Sequence, residues 1–204
     1  MKFFLLQISA IVMFSLSNII IIQVLNPEQV ALYNISYKYF LIPIMLFSII
    51  MTPIWSAVTD AFTRNDSNWL KSTMKTLNRI SIVFVIGIIV MLLFSKQIYN
   101  TWLGDRVDIP LELSMSMALF AIINVIITPY SYFINGIGKL AISIRITIFK
   151  IILFIPTAYF LVNTSLGASG VMYATCFFSV ISLPIYILQI NRIFSGNARG
   201  LWGK

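Results

Sequence analysis

The sequence predicts an all-α fold, a polytopic membrane helical bundle of six transmembrane helices. Hydrophobic residues make up 59% of the 204 residues, the mean hydropathy is +0.95, and only 10% of the residues are charged. A soluble domain of this length does not need so much apolar surface. Because lipid offers no hydrogen-bond partners, an apolar segment that crosses a bilayer must satisfy its own backbone as a helix.

Six apolar segments account for most of the chain. They run approximately over Phe3–Leu25, Ala31–Val58, Ile80–Phe94, Leu111–Phe133, Ile142–Val162 and Gly170–Ile190. The third is short against the roughly 20 residues that a spanning helix requires, so it is open to extension into its flanks. We expect the six segments to form one transmembrane lobe over residues 1–204.

The connection between the second and third segments, residues 60–79, differs from the other connections. Lys71, Lys75 and Arg79 step by four along one face, whereas apolar residues such as Leu70 and Met74 recur on another. A basic amphipathic segment of this kind is typical of a helix that lies on the anionic inner leaflet. An ordinary positively charged loop is the alternative.

The distribution of lysine and arginine predicts the orientation of the bundle. With the N-terminus inside, eleven of the 14 lysines and arginines fall on the cytoplasmic side, Lys204 among them, and Lys38, Lys96 and Arg106 fall outside. Cytoplasmic loops of membrane proteins carry an excess of these residues. We therefore expect both termini in the cytoplasm.

The composition argues against several classes of chemistry. The chain has no histidine and one cysteine, Cys176, so we expect no metal site, no disulfide framework, no cofactor and no enzymatic activity. The basic residues are scattered at segment ends rather than gathered on one face, which argues against nucleic acid as a partner. No aspartate or glutamate lies deep in any segment, which favours an anionic or sugar-like cargo over a cation.

Polar residues recur at helical spacing in three of the segments. They are Gln7, Ser15 and Asn18 in the first, Asn34, Lys38, Ser48 and Thr52 in the second, and Asn124, Thr128, Ser131 and Asn135 in the fourth. Such stripes either form interhelical hydrogen bonds or line a shared polar cavity. We adopt the cavity as the hypothesis, and its candidate binding residues are Lys38, Asn18, Asn34, Gln7, Asn124 and Thr128. For Lys38, snorkelling to the outer headgroups is the alternative.

Two further cations, Arg145 and Lys150, fall early in the fifth segment. Five residues apart on a helix, they point about 140° from each other. We interpret them as separate positions whose side chains snorkel to the membrane interface rather than as one site.

Several stretches resemble one family of bacterial membrane proteins. Pro53–Phe62 (Pro-Ile-Trp-Ser-Ala-Val-Thr-Asp-Ala-Phe) followed by Asp66–Lys71 (Asp-Ser-Asn-Trp-Leu-Lys) resembles the hallmark loop of polysaccharide-biosynthesis transporters, the O-antigen flippases. These belong to the multidrug/oligosaccharidyl-lipid/polysaccharide exporter superfamily. Four more stretches are similar to that family: Asn34–Phe40, Phe133–Lys139, Ser169–Thr175 and Asn197–Lys204.

The resemblance implies a flippase in the bacterial inner membrane that moves lipid-linked oligosaccharide, such as a lipopolysaccharide O-antigen unit, to the outer leaflet. By similarity, the cavity is cationic. Lys38 would contact the anionic pyrophosphate, and Asn18, Asn34 and Asn124 would bond sugar hydroxyls. The likeness covers only the C-terminal lobe of these two-lobed transporters. It therefore implies an N-terminal lobe, or a second copy of the chain, as a partner.

Three other functions remain open at this point. A drug/cation antiporter of the same superfamily is the nearest alternative, although it normally needs an intramembrane carboxylate. A membrane enzyme such as a glycan polymerase or ligase would need catalytic groups in a sizeable outer loop, and the outer connections are short. A non-transporting bundle that serves as a partner subunit is the third.

Overall fold

The computed structural model of the chain describes residues 2–104 and 108–203. Two of the cations in the predicted charge asymmetry, Arg106 and Lys204, lie outside the described residues, and so does Asp105. The helices are α1 (Lys2–Val24), α2 (Pro27–Thr63), α3 (Ser67–Leu93), α4 (Ser95–Leu103), α5 (Leu111–Ile137), α6 (Ala141–Val162) and α7 (Ser169–Phe194), followed by a short 3-10 turn, Gly200–Gly203.

The predicted all-α membrane bundle is confirmed. Six of these helices, all but α4, are long and apolar enough to cross a membrane, and the described residues contain no strand. Large apolar side chains are exposed around the bundle, as at Ile49 and Phe160, each 70% exposed. Such a surface suits a hydrocarbon solvent and not water. The chain is a multi-pass membrane protein.

Helix α5 lies at the centre of the bundle and packs against α2, α3 and α7. Helix α5 approaches α2 closely at Gly136, which has no side chain. A Cβ added there would lie 3.0 Å from the Trp55 carbonyl oxygen. At the same point, the Thr59 hydroxyl of α2 donates to the Gly136 carbonyl at 2.8 Å. Small residues and interhelical hydrogen bonds of this kind hold membrane helices together.

Helix α2 is longer than the predicted segment because strong local signals define its start. Asn26 caps it by accepting from the Gln29 backbone N–H at 2.9 Å, and Pro27 occupies the first turn. At the other end the helix continues to Thr63 and takes in residues that we expected on the membrane surface.

The expected surface helix is not separate from the third span. Asp66 caps α3 by accepting from the Trp69 N–H, and the helix then runs without a break to Leu93. Its first half packs on the bundle, because Asn78 donates to the Tyr130 hydroxyl of α5 at 3.1 Å. Leu70, Met74 and Leu77 are buried, and Lys71, Lys75 and Arg79 are exposed. The amphipathic pattern was correctly recognised, but its apolar face covers protein.

Helix α4 was not predicted, since we assigned its residues to an outer connection. Its Tyr99 side chain is buried, and the Tyr99 oxygen lies 3.3 Å from the Ser36 hydroxyl of α2 and 3.5 Å from that of Ser114 of α5. Burial raises the pKa of the Tyr99 phenol, and the two serine hydroxyls partly oppose that rise. Tyr99 thus anchors α4 to the end of the bundle.

Helices α6 and α7 meet at Gly170, where their backbones are in direct contact. A Cβ at Gly170 would lie 2.7 Å from the Leu161 carbonyl carbon and 2.8 Å from its oxygen. Only glycine permits this approach. The α6–α7 pair carries the side chains described next.

Candidate functional site

A cavity of about 340 Å³ lies inside the bundle, between α1, α2, α5, α6 and α7. Its volume falls at the lower end of the roughly 300–1,000 Å³ that ligand pockets span. Aromatic rings form one wall: Tyr37 lies 4.9 Å from the Phe14 ring and 6.0 Å from the Phe120 ring, between centroids. Most of the lining is apolar or aromatic, and five polar side chains are set in it: Ser17, Asn124, Lys150, Thr175 and Ser179.

The polar lining comes from the middle of three helices. Asn124, Lys150 and Ser179 each lie near the midpoint of α5, α6 and α7 respectively. The Asn124 amide nitrogen donates to the Phe120 carbonyl of its own helix at 3.0 Å, and Thr175 donates to Val171 in the same way at 3.1 Å. The Asn124 side-chain oxygen, which only accepts, stays available to a ligand donor. The cavity therefore lies near the middle of these three spans.

Lys150 supplies the charge of the cavity. It is half-buried, and its ammonium donates to the Ser179 hydroxyl of α7 at 3.4 Å. Nine residues after the start of α6 place it about 14 Å along the helix axis. The snorkelling that we expected for Lys150 is wrong, because its side chain turns into the bundle.

The two helices that carry Lys150 and its hydrogen-bond partner Ser179 have no acidic side chain. No aspartate or glutamate follows Glu112 in the sequence, so α6 and α7 carry none. Within the described residues the only ion pair joins Arg64 to Asp60, both exposed. The ammonium therefore has one long hydrogen bond and three N–H donors. A half-buried cation with this surplus of donors suits an anionic ligand.

Lys150 also lines a second cavity, of about 380 Å³, between α6 and α7. Arg145 lines the same cavity. Our interpretation of Arg145 and Lys150 as unrelated positions was thus wrong: helix geometry directs their Cβ atoms apart, but both long side chains reach the groove that α7 closes. The other lining residues are mostly apolar: Ile146, Phe149, Phe178, Ile181, Ser182 and Ile185.

Of the six residues predicted to bind, Asn124 lines the cavity inside the bundle. Lys38 is exposed on the surface of α2 and is not among the lining residues. The polar residues on its predicted stripe bond their own helix, since Ser48 donates to the Ile44 carbonyl and Thr52 to the Ser48 carbonyl. Ser48 and Thr52 are therefore satisfied within their own helix. A role for Lys38 at a surface shared with a partner lobe stays a prediction.

The remaining predicted residues do not converge on the cavity. Asn34 donates to the Asn18 side-chain oxygen at 2.7 Å, which joins α2 to α1. Thr128 donates to the Asn124 carbonyl at 2.7 Å, and Gln7 is exposed. For Asn18 and Asn34, interhelical bonding, the alternative interpretation of the stripes, is what the geometry shows.

Sequence reasoning missed Lys150 as a cavity residue, although a signal was present. Lys150 and Ser179 are each flanked by apolar residues in predicted spans, and an intramembrane ionisable residue marks a functional site by default. We discounted the lysine because we expected it to snorkel from the inner end of its helix, although the predicted start at Ile142 already placed it eight residues into the span.

No family model, curated protein or solved structure matches this chain. Functional conclusions therefore rest on the cavity and on the sequence motifs.

Proposed function

We propose that the chain is a transporter, or the C-terminal lobe of one, that flips lipid-linked oligosaccharide across the bacterial inner membrane. The observation that carries the proposal is Lys150, a lysine without a carboxylate partner, in a cavity near the middle of α6 that also holds four uncharged polar side chains. Transporter sites typically lie near the bilayer midplane, and a cation there matches the phosphate groups of such a substrate.

The cavity offers separate groups for the two polar parts of the substrate. The Lys150 ammonium would bind a phosphate oxygen, a charge-assisted hydrogen bond of about twice the strength of a neutral one. The Asn124 oxygen and the Thr175 and Ser179 hydroxyls would bond the sugar hydroxyls. The aromatic wall around Tyr37 would face the apolar side of a sugar ring. No carboxylate lines the cavity, which argues against the drug/cation antiporter.

Conformational change is supported by the placement of prolines. Pro129, Pro156 and Pro184 each lie five or six residues after a cavity residue on α5, α6 and α7. A proline inside a helix removes one backbone hydrogen bond and permits bending at that point. Alternating access also needs a second lobe, so we propose an N-terminal lobe or a second copy as partner. Lys38, exposed on α2, would then face that partner. Both termini would be cytoplasmic.

The test is translocation of a fluorescent oligosaccharide diphosphate lipid by the purified chain in proteoliposomes. Protection of the label from an added membrane-impermeant quencher measures the fraction moved. We expect wild-type protein to bind the lipid and Lys150→Gln to lose at least tenfold in affinity, since each 1.4 kcal/mol is a factor of ten. Lys150→Arg, which keeps the charge, should retain most of the binding.

Two outcomes separate the forms of the proposal. Translocation by the chain alone supports a transporter that works as two copies of the chain, and Lys150-dependent binding without translocation supports a lobe that needs a partner. If the wild-type chain neither binds nor moves the lipid, the proposal is wrong and the non-transporting bundle gains support.

A further inference from the structure

A third cavity, of about 360 Å³, lies between the start of α3 and the end of α7. It is termed the basic pocket here. Three of its lining residues belong to α3 and three lie at the end of α7: Lys71, Met74, Lys75, Asn191, Phe194 and Ser195. The basic pocket shares no lining residue with the two cavities at Lys150, so it is a separate site.

The basic pocket exists because α5 stands between α3 and α7. Both helices pack along α5, whereas they make little contact with each other. Asn78 ties α3 to α5 through the Tyr130 hydroxyl, and Gln189 of α7 donates to the Lys139 carbonyl, just beyond the end of α5, at 3.0 Å. The two walls are thus held at a fixed spacing with a gap that a small ligand can bridge.

The two lysines of the basic pocket are cations without a protein partner. Within the described part of the chain, neither Lys71 nor Lys75 forms an ion pair or a hydrogen bond. No acidic residue lines the pocket, and Asp66, the nearest in sequence, caps α3 by accepting from the Trp69 N–H. Like charges four residues apart on a helix repel each other. An anion held between the two ammonium groups would turn that repulsion into attraction.

Asn191 supplies hydrogen-bond donors from the opposite wall. Its side-chain amide is exposed, has no partner among the described residues and offers two N–H donors. The Ser195 hydroxyl, in contrast, already donates to the Arg192 carbonyl at 3.2 Å. Two ammonium groups on α3 and one amide on α7 match a phosphate group, because its several oxygens accept charge-assisted hydrogen bonds from both walls at once.

The position of the basic pocket along α3 corresponds to the headgroup region of a membrane. With 27 residues, α3 is about 40 Å long, which exceeds the roughly 30 Å of a hydrocarbon core. The apolar run begins at Ile80, so Lys71 and Lys75 precede it by about 7–14 Å along the helix axis. When the apolar run spans the core, the two ammonium groups lie at the depth of lipid phosphates.

We infer that the basic pocket binds a phosphate group, supplied by an anionic lipid headgroup or by a free phosphate ester, and that the bound phosphate bridges α3 to α7. Lys71 and Lys75 hold its oxygens from α3, and Asn191 donates from α7. The headgroup depth favours the lipid as the source. The inference does not depend on the proposed transport function, since none of these residues lines the cavity inside the bundle.

Titration of short-chain lipids into the purified chain, in a neutral detergent, tests the inference. The probes are phosphatidic acid, phosphatidylcholine of the same chain length, and glycerol phosphate, which has no acyl chain. The first variant combines Lys71→Gln with Lys75→Gln, and the second, Asn191→Leu, removes the α7 donor. The control combines Arg79→Gln with Arg199→Gln, because both arginines are exposed and outside the pocket and their loss changes the charge equally.

We expect wild-type protein to bind phosphatidic acid at least tenfold more tightly than phosphatidylcholine, whose choline group neutralises the headgroup. The double lysine variant should lose at least tenfold in affinity for phosphatidic acid, Asn191→Leu about threefold, and the arginine control less than twofold. Saturating phosphatidic acid should raise the Tm of the wild-type protein but not that of the double lysine variant, because a ligand that binds the folded state stabilises it.

The three probes also distinguish the source of the phosphate. Binding of phosphatidic acid without binding of glycerol phosphate assigns a lipid headgroup, and equal binding of the two assigns a free phosphate ester. Equal affinities for phosphatidic acid and phosphatidylcholine would overturn the phosphate site. Equal losses in the double lysine variant and the arginine control would mean diffuse attraction to a basic surface and would also overturn it. An unchanged affinity in Asn191→Leu would overturn the bridge between α3 and α7.

Discussion

The Lys150 ammonium on α6 donates a hydrogen bond of 3.4 Å to the Ser179 hydroxyl on α7. This is long for an N–H···O hydrogen bond, which is usually 2.7–3.2 Å. A serine oxygen at this distance compensates little of the cost of keeping a charge inside a membrane bundle. Lys150 is thus placed where it lowers stability, a frequent property of ligand-binding residues.

Replacing Lys150 with an apolar residue of similar length should therefore stabilise the protein. A lysine at a helix centre costs about 2.5–3.5 kcal/mol on insertion scales, so Lys150→Met should raise the free energy of unfolding by about 1–3 kcal/mol. Chemical denaturation in mixed micelles measures the change. Lys96→Met, at an exposed position of α4, should change it by less than about 0.5 kcal/mol. Destabilisation by Lys150→Met would indicate a structural role for the ammonium.

The Asn18–Asn34 pair should join α1 to α2 with a modest coupling energy. Asn34 donates to Asn18 at 2.7 Å and also to the Val30 carbonyl at 2.9 Å, so part of its bonding is local. Hydrogen bonds between membrane helices average about 0.6 kcal/mol in double-mutant cycles. We expect a coupling of about 0.5–1.5 kcal/mol for Asn18→Val and Asn34→Val. A coupling near zero would mean that the two amides do not interact in the folded protein.

Gly170→Ala should separate α6 from α7. The added Cβ would lie under 3 Å from three backbone atoms of Leu161 and Val162, which cannot move without the helix. We expect a loss of about 1–3 kcal/mol in the free energy of unfolding, the usual cost of overpacking. The control is Gly87→Ala in α3, where no atom lies within 4 Å of the new Cβ. This change should be neutral or slightly stabilising, because alanine favours the helix. Equal effects of the two substitutions would argue against the close approach.

We expect Tyr99→Phe to weaken the attachment of α4 to the bundle and to lower the free energy of unfolding. The change removes the hydroxyl that contacts Ser36 and Ser114 and should cost about 1 kcal/mol. Because burial raises the folded-state pKa of Tyr99, its contribution is present below the unfolded value of about 10 and is lost as pH rises. As the pH rises above about 10, the free energy of unfolding should therefore fall less in Tyr99→Phe than in the wild-type protein. Tyr159→Phe, at a residue 53% exposed, is the control.

The fold class could be predicted from the sequence because apolar length alone indicates spanning helices. Helix ends were harder to predict. The caps at Asn26 and Asp66 start α2 and α3 outside the predicted segments, and hydropathy does not register such caps. Helix α4 was missed because its buried residues, Ser95 and Tyr99, lie among polar ones.

The site was harder to predict than the fold. A helical face indicates which residues share a side, but not which neighbour that side meets. Asn34 and Lys38 share a predicted face, yet Asn34 bonds α1 and Lys38 is exposed. Lys150 shares helical spacing with Ser143 and Thr147, but only the approach of Ser179 from α7 shows where its charge points.

The most direct test of the account compares lysines in one binding assay. The ligand is a disaccharide diphosphate that carries a methyl group in place of a lipid tail. Its affinity for the wild-type chain, Lys150→Gln and Lys38→Gln reports which cation holds the anionic group. We predict at least a tenfold loss for Lys150→Gln and less than a twofold change for Lys38→Gln in the chain alone. Unchanged affinity in Lys150→Gln, with or without a loss in Lys38→Gln, would contradict the assignment of the anion site to the cavity inside the bundle.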